Sequence, residues 1–396
     1  MVHVSTFDRP FFALACLLLA GCARPPGPGE PIRGLTPEQL RNFEVGRDVF
    51  ARTFEVADGL GPLFNAESCA ECHEDPVNGG AGDEVEVHAA RAPLVGGTQL
   101  AQVSPREGCD LLFTLGGPVY QLQTTPALRE ALGIDNEPIP PGATIARRSS
   151  PDVFGFGLLD AIPDSTILAL ADPDDANGDG ISGRPNRFLD GRLGRFGRKA
   201  FVPTLAEFNA GAFQIEMGIT VAEAPDEGTV GGEPIPPGVD PTPDPELEAE
   251  SVQAANAYVR FLAPPARRAS NDRVARGARV FARIGCNACH VPELRTGASD
   301  VRALANRKVA AYTDLLLHDM GPELADICFG EATPSEFRTE PLMGLRFSTT
   351  FLHDGRATSV DEAIRQHGGE AVRARDAFVG LPELDQRLLL AFLATL

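Results

Sequence analysis

The 396-residue chain contains no tryptophan, only three tyrosines and only two lysines, so almost all of its positive charge is arginine. Acidic residues outnumber basic ones by 55 to 35, which gives a formal net charge of −20 at pH 7. A chain of this charge repels a phosphate backbone, which argues against nucleic acid as a partner. The 43% of hydrophobic residues suffice for a buried core, and the length predicts two or more domains.

The amino terminus lacks an apolar run long enough to cross a bilayer, because its run covers only residues 11–20. Arg9 before this run is typical of a secretory signal peptide. The run leads into Leu-Ala-Gly-Cys, which resembles a bacterial lipobox and predicts that residues 1–21 are removed and Cys22 is lipidated. An ordinary signal peptide cleaved nearby is the alternative. The lipoprotein interpretation places the chain in the periplasm, anchored to the cell-envelope membrane, with residues 22–35 as a disordered tether.

Cysteine is scarce too, and half of the eight residues lie in two pentapeptides, CAECH at 69–73 and CNACH at 286–290. Two thiols three positions apart form thioethers with one haem, and the histidine that follows binds its iron. A redox dithiol has no use for that histidine, and a zinc site needs further nearby ligands that neither half supplies. The pentapeptides therefore predict two covalent c-type haems, held by Cys69, Cys72, His73, Cys286, Cys289 and His290.

Cys16 leaves with the signal peptide and Cys22 is the lipid candidate, so two cysteines remain outside these motifs, one in each half of the chain. Export places them in an oxidising compartment, where disulfides persist. Cys109 and Cys328 therefore either pair with each other or remain as buried free thiols.

The sequence before the two pentapeptides repeats. Gly46 and Phe50 have the same spacing as Gly277 and Phe281, and both pairs lie in segments with helical periodicity. A glycine on a helix allows a second helix to cross close to the backbone. We therefore expect each of these helices to pack closely against another helix.

Each half also ends in an apolar helical segment, at 254–263 and at 383–396. An opening helix, a CxxCH motif, a loop and a closing helix form the sequence order of a cytochrome c domain. The sequence thus predicts a mainly α fold with two cytochrome c-like helical domains, at 36–265 and 266–396, connected by long irregular loops. The first domain is longer because it contains an insertion.

The insertion contains an acidic loop with Asp175, Asn177 and Asp179 at alternating positions, followed by Gly180. This order matches the first half of a calcium-binding loop. The twelfth position is Asn186 where such loops have a bidentate glutamate. The two interpretations are a calcium site and a solvated turn, since Asp, Asn and Gly are also turn residues.

Four longer segments, at 155–164, 178–186, 312–326 and 337–371, resemble the bacterial di-haem oxidoreductase family. Members of that family are described as thiol oxidoreductases or peroxidases, and they are similar to the di-haem cytochrome c peroxidases and the methylamine-utilisation di-haem enzyme. The resemblance covers nearly all of the mature chain. It implies two cytochrome c-like domains and periplasmic redox chemistry, but it does not define the substrate.

The resemblance also implies a distal ligand for the C-terminal haem, on the helix after the HDG segment. That position is His367 here, where the peroxidases have methionine and the methylamine enzyme has tyrosine. Two histidine ligands predict a lower potential than a histidine–methionine pair. The other candidates for this role are Met320, Met343, His318 and His353.

The corresponding region for the N-terminal haem contains neither histidine nor methionine, so its sixth coordination position is open unless Met217 or His88 occupies it. Met217 is equally well explained as a core residue. A general acid or base in an open pocket would be a carboxyl group or a histidine. The candidates are His88, Glu84 and Glu216, and a cation in the acidic loop is a candidate regulator of the same site.

The absence of tryptophan excludes the tryptophan relay that superfamily peroxidases use between their haems. The leading interpretation is an exported di-haem oxidoreductase that takes electrons from small redox proteins or quinol-linked donors. It reduces a small oxidant, peroxide being the first candidate, at the N-terminal haem. The alternatives are an electron carrier with both haems six-coordinate, and a haem-containing binding or sensor protein in metal handling.

Overall fold

The computed structural model describes residues 24–91, 94–95, 98–99 and 108–396, so the signal segment and Cys22 lie outside the described residues. Within these ranges the α-helices are α1 Pro37–Phe50, α2 Cys69–Cys72, α3 Pro126–Leu132, α4 Phe156–Asp160, α5 Asp164–Leu168, α6 Leu205–Met217, α7 Ala249–Phe261, α8 Asp272–Arg283, α9 Val360–Gln366, α10 Val372–Val379 and α11 Glu383–Leu393. No helix in the described ranges is both long and apolar enough to cross a bilayer.

The strands of the same ranges are short. They are β1 Leu63–Phe64, β2 Val85–Ala90, β3 Leu94–Val95, β4 Thr98–Gln99, β5 Val119–Tyr120, β6 Gln123–Thr124, β7 Thr144–Ser149, β8 Thr229–Val230, β9 Glu233–Pro234, β10 Leu294–Arg295, β11 Lys308–Val309, β12 Leu317–Asp319 and β13 Glu336–Arg338. Helices thus form most of the regular structure, and the small sheets are additions that the sequence did not predict.

The first helix pair is α1 with α7. Thr36 caps α1, because its hydroxyl accepts from the Gln39 amide and the Gln39 side chain accepts in return from the Thr36 amide. Gly46 of α1 lies against the backbone of Ala254 on α7. Phe50 is buried one turn later, with its ring centroid 5.0 Å from that of Tyr258.

The second pair is α8 with α11, and it repeats the first. Gly277 lies so close to the Leu388 carbonyl that a β carbon on the glycine would be 2.0 Å from the oxygen. Phe281 is buried, with its ring centroid 5.5 Å from that of Phe392. The close crossing expected from each Gly-x-x-x-Phe is therefore present in both halves.

A three-stranded antiparallel sheet, in the order β5-β2-β7, follows the first CxxCH motif. Val87 and Ala89 of β2 are buried in a core cluster with Tyr120. Because side chains alternate along a strand, Glu86 and His88 share the opposite face of β2. The sheet thereby fixes two titratable side chains close to the motif.

The two halves meet in a buried ionic cluster. Asp326 of the second half is 2.8 Å from a guanidinium nitrogen of Arg148 and 2.8 Å from the ammonium of Lys199, both of the first half. Two residues further on, Cys328 forms a disulfide with Cys109. Of the two alternatives for these cysteines, the structure therefore contains the pair.

The end of the predicted tether is ordered against α7. The Ile32 amide donates to the Phe261 carbonyl at 2.8 Å, and Pro31 pairs with Leu262 in a β-bridge. Ile32 is only 8% exposed. Burial of an aliphatic side chain of this size contributes about 2 kcal/mol, so Ile32 stabilises the contact between this end of the segment and the fold.

Candidate haem sites

The first CxxCH motif forms the single-turn helix α2, which Ser68 caps through its hydroxyl. His73 ends this turn, and its Nδ1 lies 2.8 Å from the Pro151 carbonyl and 3.2 Å from that of Gly80. Carbonyls only accept, so Nδ1 carries the proton and Nε2 keeps its lone pair. Burial lowers the pKa of His73, which also keeps the imidazole neutral.

The second motif has the same arrangement. His290 Nδ1 donates to the Tyr312 carbonyl at 3.0 Å, so Nε2 is again the free nitrogen. Burial, with a smaller contribution from His367, lowers the pKa of His290 to about 4. An imidazole oriented through Nδ1 with Nε2 available is the form that binds a metal.

The cysteines of both motifs fit the same cofactor. Cys69, Cys72, Cys286 and Cys289 are free and partly buried, and none forms a disulfide in the described chain. Each motif therefore offers two thiols and a neutral imidazole with a free nitrogen, which is the donor set of a c-type haem.

His367 lies at the end of α9, and its Nδ1 donates to the Ala363 carbonyl at 2.7 Å. Its Nε2 is therefore free as well, and burial lowers the pKa of His367. The electrostatic effect of His367 on His290 indicates that the two imidazoles lie near each other. This geometry is compatible with the predicted role of His367 as distal ligand.

The other two histidine candidates for the distal ligand, His318 and His353, interact with other groups. His318 Nε2 is 2.8 Å from Asp314 and its Nδ1 is 2.8 Å from Glu370. Burial opposes its charged form, but the hydrogen bonds with these carboxylates outweigh it and raise the pKa of His318 to about 12. A protonated imidazole has no lone pair for iron. His353 stacks on Phe337 at 4.2 Å between ring centroids.

Of the two methionine rivals, the fold engages the side chain of Met343 but only the backbone of Met320. Met343 is 8% exposed and belongs to the main core cluster. The Met320 amide donates to the Ser335 carbonyl at 2.8 Å, beside the strand pair β12–β13.

Carboxyl groups lie near both motifs, but Asp314 and Glu370 near the second are paired with His318. Burial raises the pKa of Cys69 to about 12, and the nearby Glu216 carboxylate adds to this shift. Burial also raises the pKa of Cys72, with contributions from Glu216, Glu84 and Glu86. Three glutamates outside the motif, together with Glu71 inside it, therefore lie within electrostatic reach of its cysteines.

Glu216 of α6 differs from the other glutamates. Its Oε2 accepts a hydrogen bond from Asn65 Nδ2 at 2.9 Å. Burial, followed by repulsion from Glu86, raises the pKa of Glu216 well above its usual range. Both effects favour the protonated, neutral form of Glu216.

The other catalytic candidates have different environments. His88 Nε2 pairs with Glu86 Oε2 at 2.9 Å, and burial with the Arg148 charge lowers the pKa of His88. Burial raises the pKa of Glu84, whose Oε2 has no hydrogen-bond partner among the described residues. Sequence reasoning missed Glu86, although its position two residues before His88 was a signal for it.

Met217 follows Glu216 but points elsewhere. It is 2% exposed and belongs to a core cluster with Phe54, Phe64 and Phe213. This packing is that of a core residue, which is one of the two interpretations of Met217.

A family model described as "Di-haem oxidoreductase, putative peroxidase" matches residues 141–396. The chain belongs to this family. Family membership implies two haems, in agreement with the two donor sets, and supports oxidoreductase activity. No curated protein sequence matches the chain significantly.

Solved structures show a remote likeness. The diheme peroxidase BthA of Burkholderia thailandensis is 16% identical, with a TM-score of 0.42 over 92% of this chain and 86% of that chain. A MauG-like protein associated with microbial copper homeostasis is 16% identical, with a TM-score of 0.40 over 99% and 95%. Hydrazine synthase of Kuenenia stuttgartiensis is 12% identical, with a TM-score of 0.42 over 100% and 99%.

In this family member the acidic loop is held by its own backbone. Asp175 accepts from the Gly180 amide at 3.1 Å, Asn177 from the Asp179 amide at 2.8 Å, and Asp179 from the Ile181 amide at 2.9 Å. These are the hydrogen bonds of a tight polar turn. Calcium binding here stays a prediction.

The far end of this loop contacts the second half of the chain, although the sequence places the loop in the first. The Ser182 amide donates to Glu370 at 3.2 Å, three residues beyond His367. Arg184 donates to Glu336 at 2.7 Å and 2.6 Å. The loop is therefore connected to the C-terminal half as well, and regulation of the N-terminal site by a cation in this loop stays a prediction.

Proposed function

We propose that the chain is an exported di-haem c-type oxidoreductase that reduces a small oxidant, with peroxide as the first candidate, at its N-terminal haem. Cys69, Cys72 and His73 would hold that haem, and Cys286, Cys289 and His290 the other. We further propose a periplasmic location with a lipid anchor at Cys22, and small redox proteins or quinol-linked donors as the source of electrons.

One observation carries this proposal, namely the different surroundings of the two motifs. His290 shares its site with a second neutral histidine that has a free nitrogen, His367. The first motif has carboxyl groups around it, and the nearby methionine, Met217, is used by the core. This contrast supports a six-coordinate electron-transfer haem in the second half and an open, reactive haem in the first.

When bound, the haems supply a binding position for the oxidant and a route for electrons. Reduction of a peroxide to two water molecules consumes two electrons and two protons. Burial favours the protonated form of Glu216 near the first motif, so this carboxyl group is suited to deliver a proton to the departing oxygen and to recover one from solvent. Asn65 fixes the orientation of this carboxyl group through its hydrogen bond.

The test is Glu216→Gln, which keeps the shape of the side chain and removes its titratable proton. We expect peroxide to reoxidise the half-reduced protein about 10²- to 10⁴-fold more slowly in stopped-flow mixing, because general acid catalysis typically contributes that factor. Haem content and the spectra of both haems should not change. Glu84→Gln is the matched control, since Glu84 also lies near Cys72.

Two results would contradict the proposal. If Glu216→Gln reacts like the unmodified protein while Glu84→Gln is slow, the acid has been assigned to the wrong residue. If both haems stay low spin in every redox state and peroxide reacts slowly without saturation, the electron-carrier alternative replaces peroxide reduction.

A further inference from the structure

The charge of the chain is unevenly distributed between its halves. Residues 266–396 contain 17 basic and 17 acidic residues, so the whole net charge of −20 belongs to residues 1–265. The C-terminal half is therefore the part of the molecule in which an exposed positive surface can form. Such a surface attracts acidic partners and increases their rate of association.

A row of arginines on α8 forms this surface. Arg273, Arg276 and Arg279 are exposed and three residues apart, so they lie along one side of the helix. None of the three has an ion pair or hydrogen bond within the described ranges. The next arginine along the helix, Arg283, is paired with Asp385 at 2.7 Å.

A groove of about 420 Å³ lies beside the row, between α8 and α11. Leu384 and Leu388 contribute its apolar surface. Its charged lining consists of Arg273, Arg276, Asp272 and Arg387, of which Arg387 is paired with Glu383. Leu384 is 51% exposed, although it is a large apolar side chain. An apolar surface bordered by charge is the composition of a protein–protein contact region.

We call Arg273, Arg276, Arg279 and the groove beside them the arginine face. Its helix α8 immediately precedes the second CxxCH motif in the chain. α8 ends at Arg283, and Cys286 follows three residues later. Arg279 lies four positions before the end of α8, which corresponds to about 6 Å along the helix axis. A protein that covers the row as far as Arg279 therefore reaches the end of α8 that precedes the cysteines of the C-terminal haem site.

We propose that the arginine face is the docking surface for a small acidic redox protein that exchanges electrons with the C-terminal haem. The inference rests on the proposed function, because it needs haems that exchange electrons. A concave groove fits a protruding side chain of a protein better than the plane of a membrane, and unpaired arginines at its edge complement carboxylates.

The test uses two double variants. The α8 double variant carries Arg273→Glu and Arg276→Glu, and the control double variant carries Arg302→Glu and Arg307→Glu. The control arginines are exposed, but Val301 and Ala303 beside them pack into the main core cluster and not against α11. The probe is a strongly acidic mono-haem cytochrome c in its reduced form. Its binding is measured by titration calorimetry, and reduction of the full-length holoprotein by stopped flow, at about 0.01 M and about 0.5 M salt.

At low salt we expect the α8 double variant to bind the cytochrome at least about tenfold more weakly than the unmodified protein, and to be reduced at least about tenfold more slowly. The control double variant should match the unmodified protein in both measurements. The difference should shrink at high salt. Reduction by a small uncharged reductant should be equal in all three proteins, which shows that the haems are intact. If the acidic cytochrome does not bind the unmodified protein, or binds both double variants equally, the docking assignment is wrong.

Two further measurements separate other occupants. The first is sedimentation of the protein with vesicles of phosphatidylglycerol. If the α8 double variant alone loses this sedimentation while its binding of the cytochrome is unchanged, the face belongs to a membrane and the proposal is overturned. The second is the molar mass of the protein in solution. If this mass rises with protein concentration in the unmodified protein but not in the α8 double variant, the arginine face binds a second copy of the chain. Failure of peroxide turnover with the small reductant, while cytochrome binding persists, would refute the proposed function and not the docking surface.

Discussion

Gly46 and Ala254 touch through their backbones, so that a β carbon added to the glycine would lie 1.9 Å from the Ala254 carbonyl oxygen. The contact sets the separation of α1 and α7, and Gly277 with Leu388 does the same for the second pair. The glycine-bearing helices α1 and α8 each precede a CxxCH motif. The spacing of each helix pair is therefore connected to the position of a candidate haem ligand.

Gly46→Ala should destabilise the protein, because α1 and α7 must separate to accept the methyl group. Overpacking of this kind typically costs about 1–3 kcal/mol, which urea unfolding monitored by circular dichroism would measure. Gly211→Ala on α6 is the control, since a β carbon there meets only the Ile215 side chain at 3.9 Å. That substitution should be neutral or stabilising, because alanine favours a helix over glycine by about 1 kcal/mol. Equal stability of the two variants would show that α1 and α7 are not in close contact.

Two covalent haems per chain are expected from the two donor sets. A pyridine haemochrome assay should give two haems for the unmodified protein and one for the double variant Cys69→Ala with Cys72→Ala. Cys109→Ser, at a cysteine outside both motifs, should leave the number at two. A value of zero or one in the unmodified protein would refute the assignment.

His367→Ala should convert one haem from low spin to high spin and leave the other unchanged, because His367 offers a free Nε2 near His290. Absorption and EPR spectra of the oxidised protein would detect this change. His367→Met should restore a low-spin haem at a higher potential, since a methionine ligand raises the potential relative to histidine. Gln366→Ala is the neighbouring control. An unchanged low-spin spectrum in His367→Ala would assign the ligand to another residue.

The features that sequence reasoning identified are local. A CxxCH motif is complete within five residues, and Gly-x-x-x-Phe marks a close helix contact without reference to its partner. The features that it missed connect distant positions. Ser182 and Glu370, for example, are 188 residues apart.

The short strands illustrate the same limit. β12 and β13 contain three residues each, so their pairing depends on tertiary contacts rather than on a readable alternation. The environment of Glu216 could not be predicted either, because its raised pKa depends on burial and on Glu86, which lies on another element.

Glu137 predicts a pH dependence of stability that is independent of the haems. It is 3% exposed, its Oε1 has no hydrogen-bond partner in the described part of the chain, and burial raises its pKa to about 8 from 4.5. Between these two values the unfolded chain loses this proton while the folded chain keeps it. The stabilising contribution is therefore complete below about pH 4.5 and is lost as the pH rises through about 8.

Each pH unit in this window corresponds to about 1.4 kcal/mol for one proton, so Glu137 should account for a loss of about 2–3 kcal/mol between pH 5 and pH 7. Glu137→Gln keeps the shape and cannot ionise, so its free energy of unfolding should fall less steeply over this range than that of the unmodified protein. Glu130→Gln, at an exposed position on α3, should follow the unmodified profile. Urea unfolding at pH 5, 6, 7 and 8 measures all three proteins, and the difference between profiles isolates Glu137 from the other buried carboxyl groups. Parallel profiles for Glu137→Gln and the unmodified protein would mean that Glu137 is ionised in the folded state and that its burial does not hold the proton.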